Sequence, residues 1–210
     1  MGLAARVREA TLSDHAAAQS MAYFDALLDG RLGRAGYAAL TAQLYFVYET
    51  LEDAAAAMRS DPVAGAFVFD ELTRLPALTA DLSYLLGPDW SERVAASAAT
   101  AEYRARLRDV AFTWPAGFVA HHYTRYLGDL SGGQIMRRAL VRQYGLGEGG
   151  TRFYRFSGVE PHALKKRYRE LLDAVPWDVA EQDRFLDEVS RAYRLNIAVL
   201  DDLGEAVAAA

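Results

Sequence analysis

The chain has 210 residues, 52% of them hydrophobic and 24% charged, with a formal net charge of −5. That length gives one ordinary domain, and the mix is too apolar for intrinsic disorder and too interrupted by charge for a membrane bundle. The acidic balance argues against a nucleic-acid binder, and the count of no cysteine and four histidines excludes disulfides, zinc ribbons, iron–sulfur clusters and a thiolate haem ligand.

The opening residues, Met1 to Glu9, carry arginines but no apolar signal core. Helix-forming residues dominate from there on, and the six prolines fall between periodic segments rather than inside them. The first predicted helix runs from Ala4 to Leu28 and stops at Asp29-Gly30. The second covers Gly36 to Arg59, with Leu40, Leu44, Val47, Tyr48 and Leu51 along one stripe. A third spans Val63 to Leu75 and continues past Pro76 to Leu86; a fourth covers Ser91 to Phe112. Pro115 opens a fifth that continues to Tyr144. Gly145 to Gly150 is a loop. Its glycines fit a dinucleotide fingerprint by letters, but they follow a helix and lack a βαβ setting. Helices over Pro161 to Ala174 and Val179 to Ala206 complete a single all-α domain, residues 1–210 with a core over about 5–205.

Three residue groups carry chemical potential. His15 sits among Ala16, Ala17 and Ala18, with Thr11 and Gln19 one turn either side and Arg8 two turns back. Small neighbours leave room for a wide, flat object, although a lone histidine on such a helix also reads as an ordinary surface residue. Gly128, Gly132 and Gly133 lie inside the fifth helix, where each costs roughly 1 kcal/mol relative to alanine. Gly128 and Gly132 share a face without side chains, open either to a planar ligand or to another helix; Asp129 lies beside it, with Arg125 one turn back. Lys165 and Arg169 share a third face, suited to carboxylates or phosphates, or simply to solvent. A ligand that is flat, metal-bearing and anionic at one edge satisfies all three groups, and haem is such a ligand.

At this point the residues match a known pattern. Tyr123-Thr124-Arg125-Tyr126-Leu127-Gly128-Asp129-Leu130-Ser131-Gly132-Gly133-Gln134 closely resembles the distal-helix signature of haem oxygenases. Arg8-Glu9-Ala10-Thr11 with His15 resembles the family's proximal helix, Lys165 to Arg169 its propionate-binding helix, and Tyr193-Arg194-Leu195-Asn196-Ile197 its last core helix. The resemblance implies a soluble, bacterial-type fold holding haem between a proximal and a kinked distal helix. It implies cleavage of haem with O2 to biliverdin, favouring the α edge, with release of carbon monoxide and ferrous iron, for iron acquisition. The electrons come from a ferredoxin or an NAD(P)H-dependent reductase, in the cytoplasm, without a membrane anchor. By motif position His15 is the iron ligand, and Gly128 and Gly132 let the distal backbone lie against the porphyrin. Asp129, with Arg125, organises proton delivery to bound dioxygen. Arg8, Tyr123, Lys165 and Arg169 hold the propionates, and Tyr48, Tyr193 and Asn196 line or support the distal side.

Two positions depart from the family pattern. Gln19 stands where many relatives have a glutamate, and is expected to accept a hydrogen bond from the His15 ring directly or through water. Arg8 stands at a lysine position, which keeps the charge and changes its geometry. A non-catalytic haem carrier on the same fold is the alternative; it would need His15 and the cationic pair but not Asp129. A di-iron carboxylate site is excluded, because none of the histidines has an acidic residue three positions before it.

Overall fold

The computed structural model describes residues 1–208; the final two positions of the predicted domain, 209 and 210, lie outside it. Among the described residues ten α-helices make up the fold and no strand occurs. They are α1 (Leu3–Ala10), α2 (Leu12–Gln19), α3 (Ala22–Leu28), α4 (Gly33–Met58), α5 (Leu75–Leu86), α6 (Ala98–Val110), α7 (Pro115–His122), α8 (Gly128–Tyr144), α9 (Pro161–Asp173) and α10 (Val179–Ala208). A π-helical turn, Tyr123–Leu127, joins α7 to α8.

The predicted opening helix is divided into three. Thr11 is buried and its hydroxyl bonds back to the Val7 carbonyl at 2.7 Å, a contact that bends helices. Ser20 bonds back to Ala17, and Met21 then takes an extended backbone (φ −67°, ψ 128°) that closes α2. The predicted 63–75 helix is instead two short 3-10 turns, Ala64–Phe67 and Asp70–Leu72, which follow the Pro62 corner. The predicted fourth helix begins later, at Ala98. Ser97 caps it by accepting from the Thr100 N–H, and residues 93–97 bridge to it from a 3-10 turn at Trp90–Glu92.

The long helix α4 is the central post. It packs against α5, α6, α7 and α10, and its buried Tyr48 and Leu51 reach the middle of one continuous core. Two α4 side chains one turn apart, Tyr48 and Glu52, hold the distal segment. Tyr48 donates to Asp129, and Glu52 accepts from the Tyr126 hydroxyl at 3.4 Å. Glu52 also takes the backbone N–H groups of Arg74 and Leu75, at 2.5 and 3.1 Å, and so anchors the start of α5. The 150–156 segment closes over α8 by a similar device: the buried Asp81 carboxylate accepts from the backbone of Arg152 and Phe153 at 3.0 and 2.8 Å. Tyr154 then packs on Gly133, where an added Cβ would sit 3.1 Å from its ring. At the other end the N–H of Ala4 donates to Asp173 at 2.8 Å, tying α1 to α9.

The two central histidines are structural. His122 is 2% exposed, its Nδ1 lies 3.1 Å from the Tyr168 hydroxyl, and burial holds its pKa down at about 3. An unfolded histidine binds a proton near pH 6.5, while this folded one does not until about pH 3. The unfolded state therefore gains protons first, and stability should fall as pH drops through that window. In urea melts from pH 7 to pH 4, His122→Phe should show a shallower loss of stability than the parent chain. Equal slopes would mean that His122 is protonated in the native state.

Candidate functional site

A cavity of about 520 Å³ opens between α2, α4, α8 and α10. His15, Ala18 and Gln19 of α2 form one wall; Gly128, Asp129 and Gly132 of α8 form the facing one, with Tyr193 and Asn196 of α10 alongside. Leu44 and Val47 of α4 supply part of the apolar back.

His15 meets the edge of the Tyr193 ring, with centroids 6.1 Å apart and planes at 80°. Among the described residues no side chain hydrogen-bonds to its ring, so the direct bond expected from Gln19 is not made, although both residues line the same wall. The opposite wall is bare. A Cβ added at Gly128 or at Gly132 would meet nothing within 4 Å, so the space beside these glycines belongs to the cavity. Gly133 differs, because its missing side chain is needed by Tyr154.

Asp129 is the most heavily engaged group. Its carboxylate accepts from the Tyr48 hydroxyl and from Arg125 Nη2 at 3.3 Å, and Arg125 Nη1 donates onward to Asn196. Burial pushes the Asp129 pKa above the ordinary carboxylate range, while Arg125 and Tyr48 pull it back. Burial and the Asp129 charge push the Tyr48 phenol well up, so it remains a donor. Burial works against the Arg125 charge, but Asp129 and Tyr48 outweigh it, and the guanidinium stays cationic. Its Nε–H is buried without a partner in the protein.

The four predicted propionate residues lie outside the cavity lining, in two groups. Arg8 and Arg169 are exposed, and both lower the Tyr123 hydroxyl pKa that burial raises, which brings the three together electrostatically. Lys165 reaches across from α9 to the Ser131 hydroxyl at 3.3 Å, and Ser131 is a cavity residue. Tyr48 also lies behind the lining, fully buried. Among the residues given a site role from the sequence, those within the lining are His15, Gln19, Arg125, Gly128, Asp129, Gly132, Tyr193 and Asn196; Gly133 lines it as well. Tyr103 of α6 also lines it. Sequence reading missed Tyr103, which looks like any apolar-face aromatic, and Ser131, which only the fold brings opposite Lys165.

The donor set fits haem. Among the described residues no group of three histidine or acidic side chains could cage a metal ion. One imidazole facing a side-chain-free wall suits a metal that brings its own flat ring of nitrogens, and the cations at the rim suit carboxylates.

The family model described as Heme oxygenase matches residues 1–202. Heme oxygenase 1 of Synechocystis sp. is 37% identical over 204 residues, which cover 97% of this chain and 85% of that one. Heme oxygenase of Porphyra purpurea is 34% identical, covering 98% and 88%. Among solved structures, the heme complex of heme oxygenase-1 from Synechocystis superposes with a TM-score of 0.94 at 36% identity, covering 100% of this chain and 95% of that one. Heme oxygenase from Leptospira interrogans gives 0.90 at 35% identity, covering 95% and 98%.

The two kinds of glycine predict different outcomes. Gly132→Leu fills open cavity, so it should leave the melting temperature near that of the parent and weaken haem binding at least about tenfold in a Soret titration, the cost of overfilling a packed site. Gly133→Leu should instead lower the melting temperature, because its side chain drives into Tyr154. Unchanged haem affinity in Gly132→Leu would show that ligand does not approach that wall.

Proposed function

The chain belongs to the haem oxygenase family, and on that premise we propose how its own residues bind haem and open the ring. It is a haem-degrading oxygenase, and haem is both its substrate and its prosthetic group. Bound haem supplies the iron at which dioxygen is activated and is itself consumed, yielding biliverdin, carbon monoxide and ferrous iron.

In this reading His15 gives the iron a neutral imidazole donor from α2. Such a ligand pushes less electron density than a thiolate, which suits ring hydroxylation better than early cleavage of the oxygen–oxygen bond. The bare wall at Gly128 and Gly132 would let the α8 backbone lie close against a bound ring and favour attack at one edge, taken here as the α edge. Arg8, Tyr123 and Arg169 hold one propionate and Lys165 the other; the planar guanidinium of Arg8 fixes its carboxylate as a fork rather than as a point charge. Tyr193, expected from the sequence on the distal side, instead meets the proximal imidazole edge-on, and Gln19 would tune that ring through its amide oxygen once the metal fixes it.

Asp129 handles the protons. Tyr48 donates to one of its oxygens and Arg125 to the other, which holds the carboxylate at a set angle to the cavity. Its raised pKa brings it closer to working pH, where a carboxylate acting through water can take up and release a proton. Asn196 steadies Arg125 from α10. This cluster is the observation that favours an oxygenase over a carrier, since storage of haem needs no buried carboxylate beside the ring. Electrons come from a ferredoxin or an NAD(P)H-dependent reductase, and the released iron serves acquisition from haem. A cytoplasmic setting fits those donors and a chain without cysteine. Among the described residues no helix is long and apolar enough to cross a membrane.

Reductant and oxygen added to the haem complex test the reading directly. The Soret band should disappear as bilin absorption grows; a Soret band that persists would leave a haem binder without ring cleavage. His15→Ala should retain haem through the apolar walls and rim cations but lose the imidazole-ligated spectrum. An unchanged spectrum would assign the ligand to another residue.

A further inference from the structure

The four methionines stand in different settings. Met1 is 82% exposed, Met21 is partly buried between α2 and α3, and Met58 is 5% exposed in the main core. Met136 is 9% exposed, and of the four it is the one that lines the haem cavity. It follows Gly132 by four residues on α8, as Gly132 follows Gly128, so the three share one stripe of the helix. The two glycines leave that stripe bare, since a Cβ at either would meet nothing within 4 Å. A helical side chain leans toward the N-terminal end of its helix, over the preceding turn. The Met136 thioether is therefore the first side chain along the bare wall, and it reaches back toward Gly132.

This cavity is where dioxygen is reduced in the reading above. Dioxygen that takes up two electrons and two protons but is not spent on the ring leaves as hydrogen peroxide. A thioether takes one oxygen atom from peroxide in a single two-electron step. The sulfur lone pair forms the sulfur–oxygen bond, the oxygen–oxygen bond breaks, and the second oxygen departs as water with both protons; sulfur is oxidised to the sulfoxide and peroxide is reduced. The phenols of Tyr103, Tyr154 and Tyr193 share the lining, but phenols give up one electron at a time and react slowly with peroxide itself. A sulfoxide is polar where the thioether was apolar. The lining includes Phe24, Leu28, Leu40 and Leu44, and side chains of that kind cannot satisfy an added oxygen.

We propose that Met136 is an oxidation site, at which hydrogen peroxide formed inside the haem cavity leaves an oxygen as methionine sulfoxide and so makes the bare wall narrower and more polar. Position selects this residue. Oxidant arriving from solvent meets Met1 first and Met21 next, because access to the sulfur limits the reaction. Oxidant formed in the cavity meets Met136 before it escapes. If Met136 only filled the core, its oxidation would follow its 9% exposure and come after that of Met1 and Met21.

The inference rests on the haem reading above, and peptide masses keep the two failures apart. The haem complex is taken through repeated turnover with reductant and oxygen, with catalase present to destroy peroxide that escapes. Each methionine is then read as its peptide mass with or without one added oxygen. Sulfoxide at Met136 should exceed that at Met21 and Met58 by about fivefold or more. A matched sample filled with the zinc form of the same porphyrin, which does not reduce dioxygen, and given peroxide in bulk should reverse the order, with Met1 and Met21 ahead of Met136. Bilin formation with Met136 unmodified, Met136 oxidation that catalase abolishes, or Met136 oxidised first in the zinc sample would each overturn the proposal and leave the haem reading standing. Sulfoxide at Met136 while the Soret band persists would support the proposal and remove ring cleavage. Met136→Leu, a near-isosteric exchange, separates damage from wear. Stripped and retitrated after turnover, the parent should bind haem about threefold more weakly or worse, while Met136→Leu keeps its initial affinity. Equal weakening in both chains would place the damage elsewhere and overturn the proposal.

Discussion

A carboxylate buried beside a large apolar cavity is the constraint on which the rest of this molecule depends. Taking Asp129 out of water is unfavourable unless its charge is matched and its lone pairs are filled. Tyr48 and Arg125 do both, and they come from different parts of the chain: one lies 81 residues earlier on the central post, the other one turn before Asp129 on the distal segment. Their meeting depends on the π-helical turn at Tyr123–Leu127. An inserted residue rotates the helix after it by about 100° relative to the helix before it, so the buried His121–His122 face and the glycine face need not share one stripe. The histidines can then point into the core while the glycines face the cavity.

The site divides its work by chemistry. The interior is mostly apolar, with polar groups on both of the facing walls, and Arg8, Lys165 and Arg169 lie outside the lining, where carboxylates can be met without burying unpaired charge. The basic residues are mostly arginine, and of the two lysines on α9 it is Lys165 that reaches the cavity residue Ser131. The same economy holds behind the distal wall. Glu52 and Tyr48 are neighbours on α4 and fasten the distal segment at Tyr126 and Asp129, on either side of Gly128. A shift of α4 would therefore move the carboxylate and the bend together.

Much of this was legible in the residues. Periodicity and proline spacing gave the long helices, because α4, α8 and α10 are continuous stripes that tertiary contacts reinforce. Gly128 and Gly132 announced a bare face, and the absence of cysteine removed thiolate ligands and left four histidines as the nitrogen candidates. The opening helix was less legible. Its break depends on a threonine hydroxyl bonding back along the helix and on an extended Met21, neither of which disturbs the apolar pattern. The π turn left no mark beyond the nearby glycines, since it is set by how α7 and α8 pack and not by local preference. Tyr103 and the contacts of His121 and Arg106 with Glu188 could not be read at all: the partners are separated by up to 82 residues and meet only when α6, α7 and α10 close. The signature around Asp129 pointed to a function, while its supporting contacts had to come from the fold.

The central claim is that the held carboxylate, and not the imidazole alone, makes this haem pocket an oxygenase. The most direct measurement is the biliverdin yield per haem in a single turnover of Asp129→Asn against the parent chain, with haem affinity determined on the same samples. The variant should bind haem as tightly as the parent and lose at least about tenfold in yield, within the range that a positioned proton carrier contributes. Equal yields at equal affinity would contradict the account.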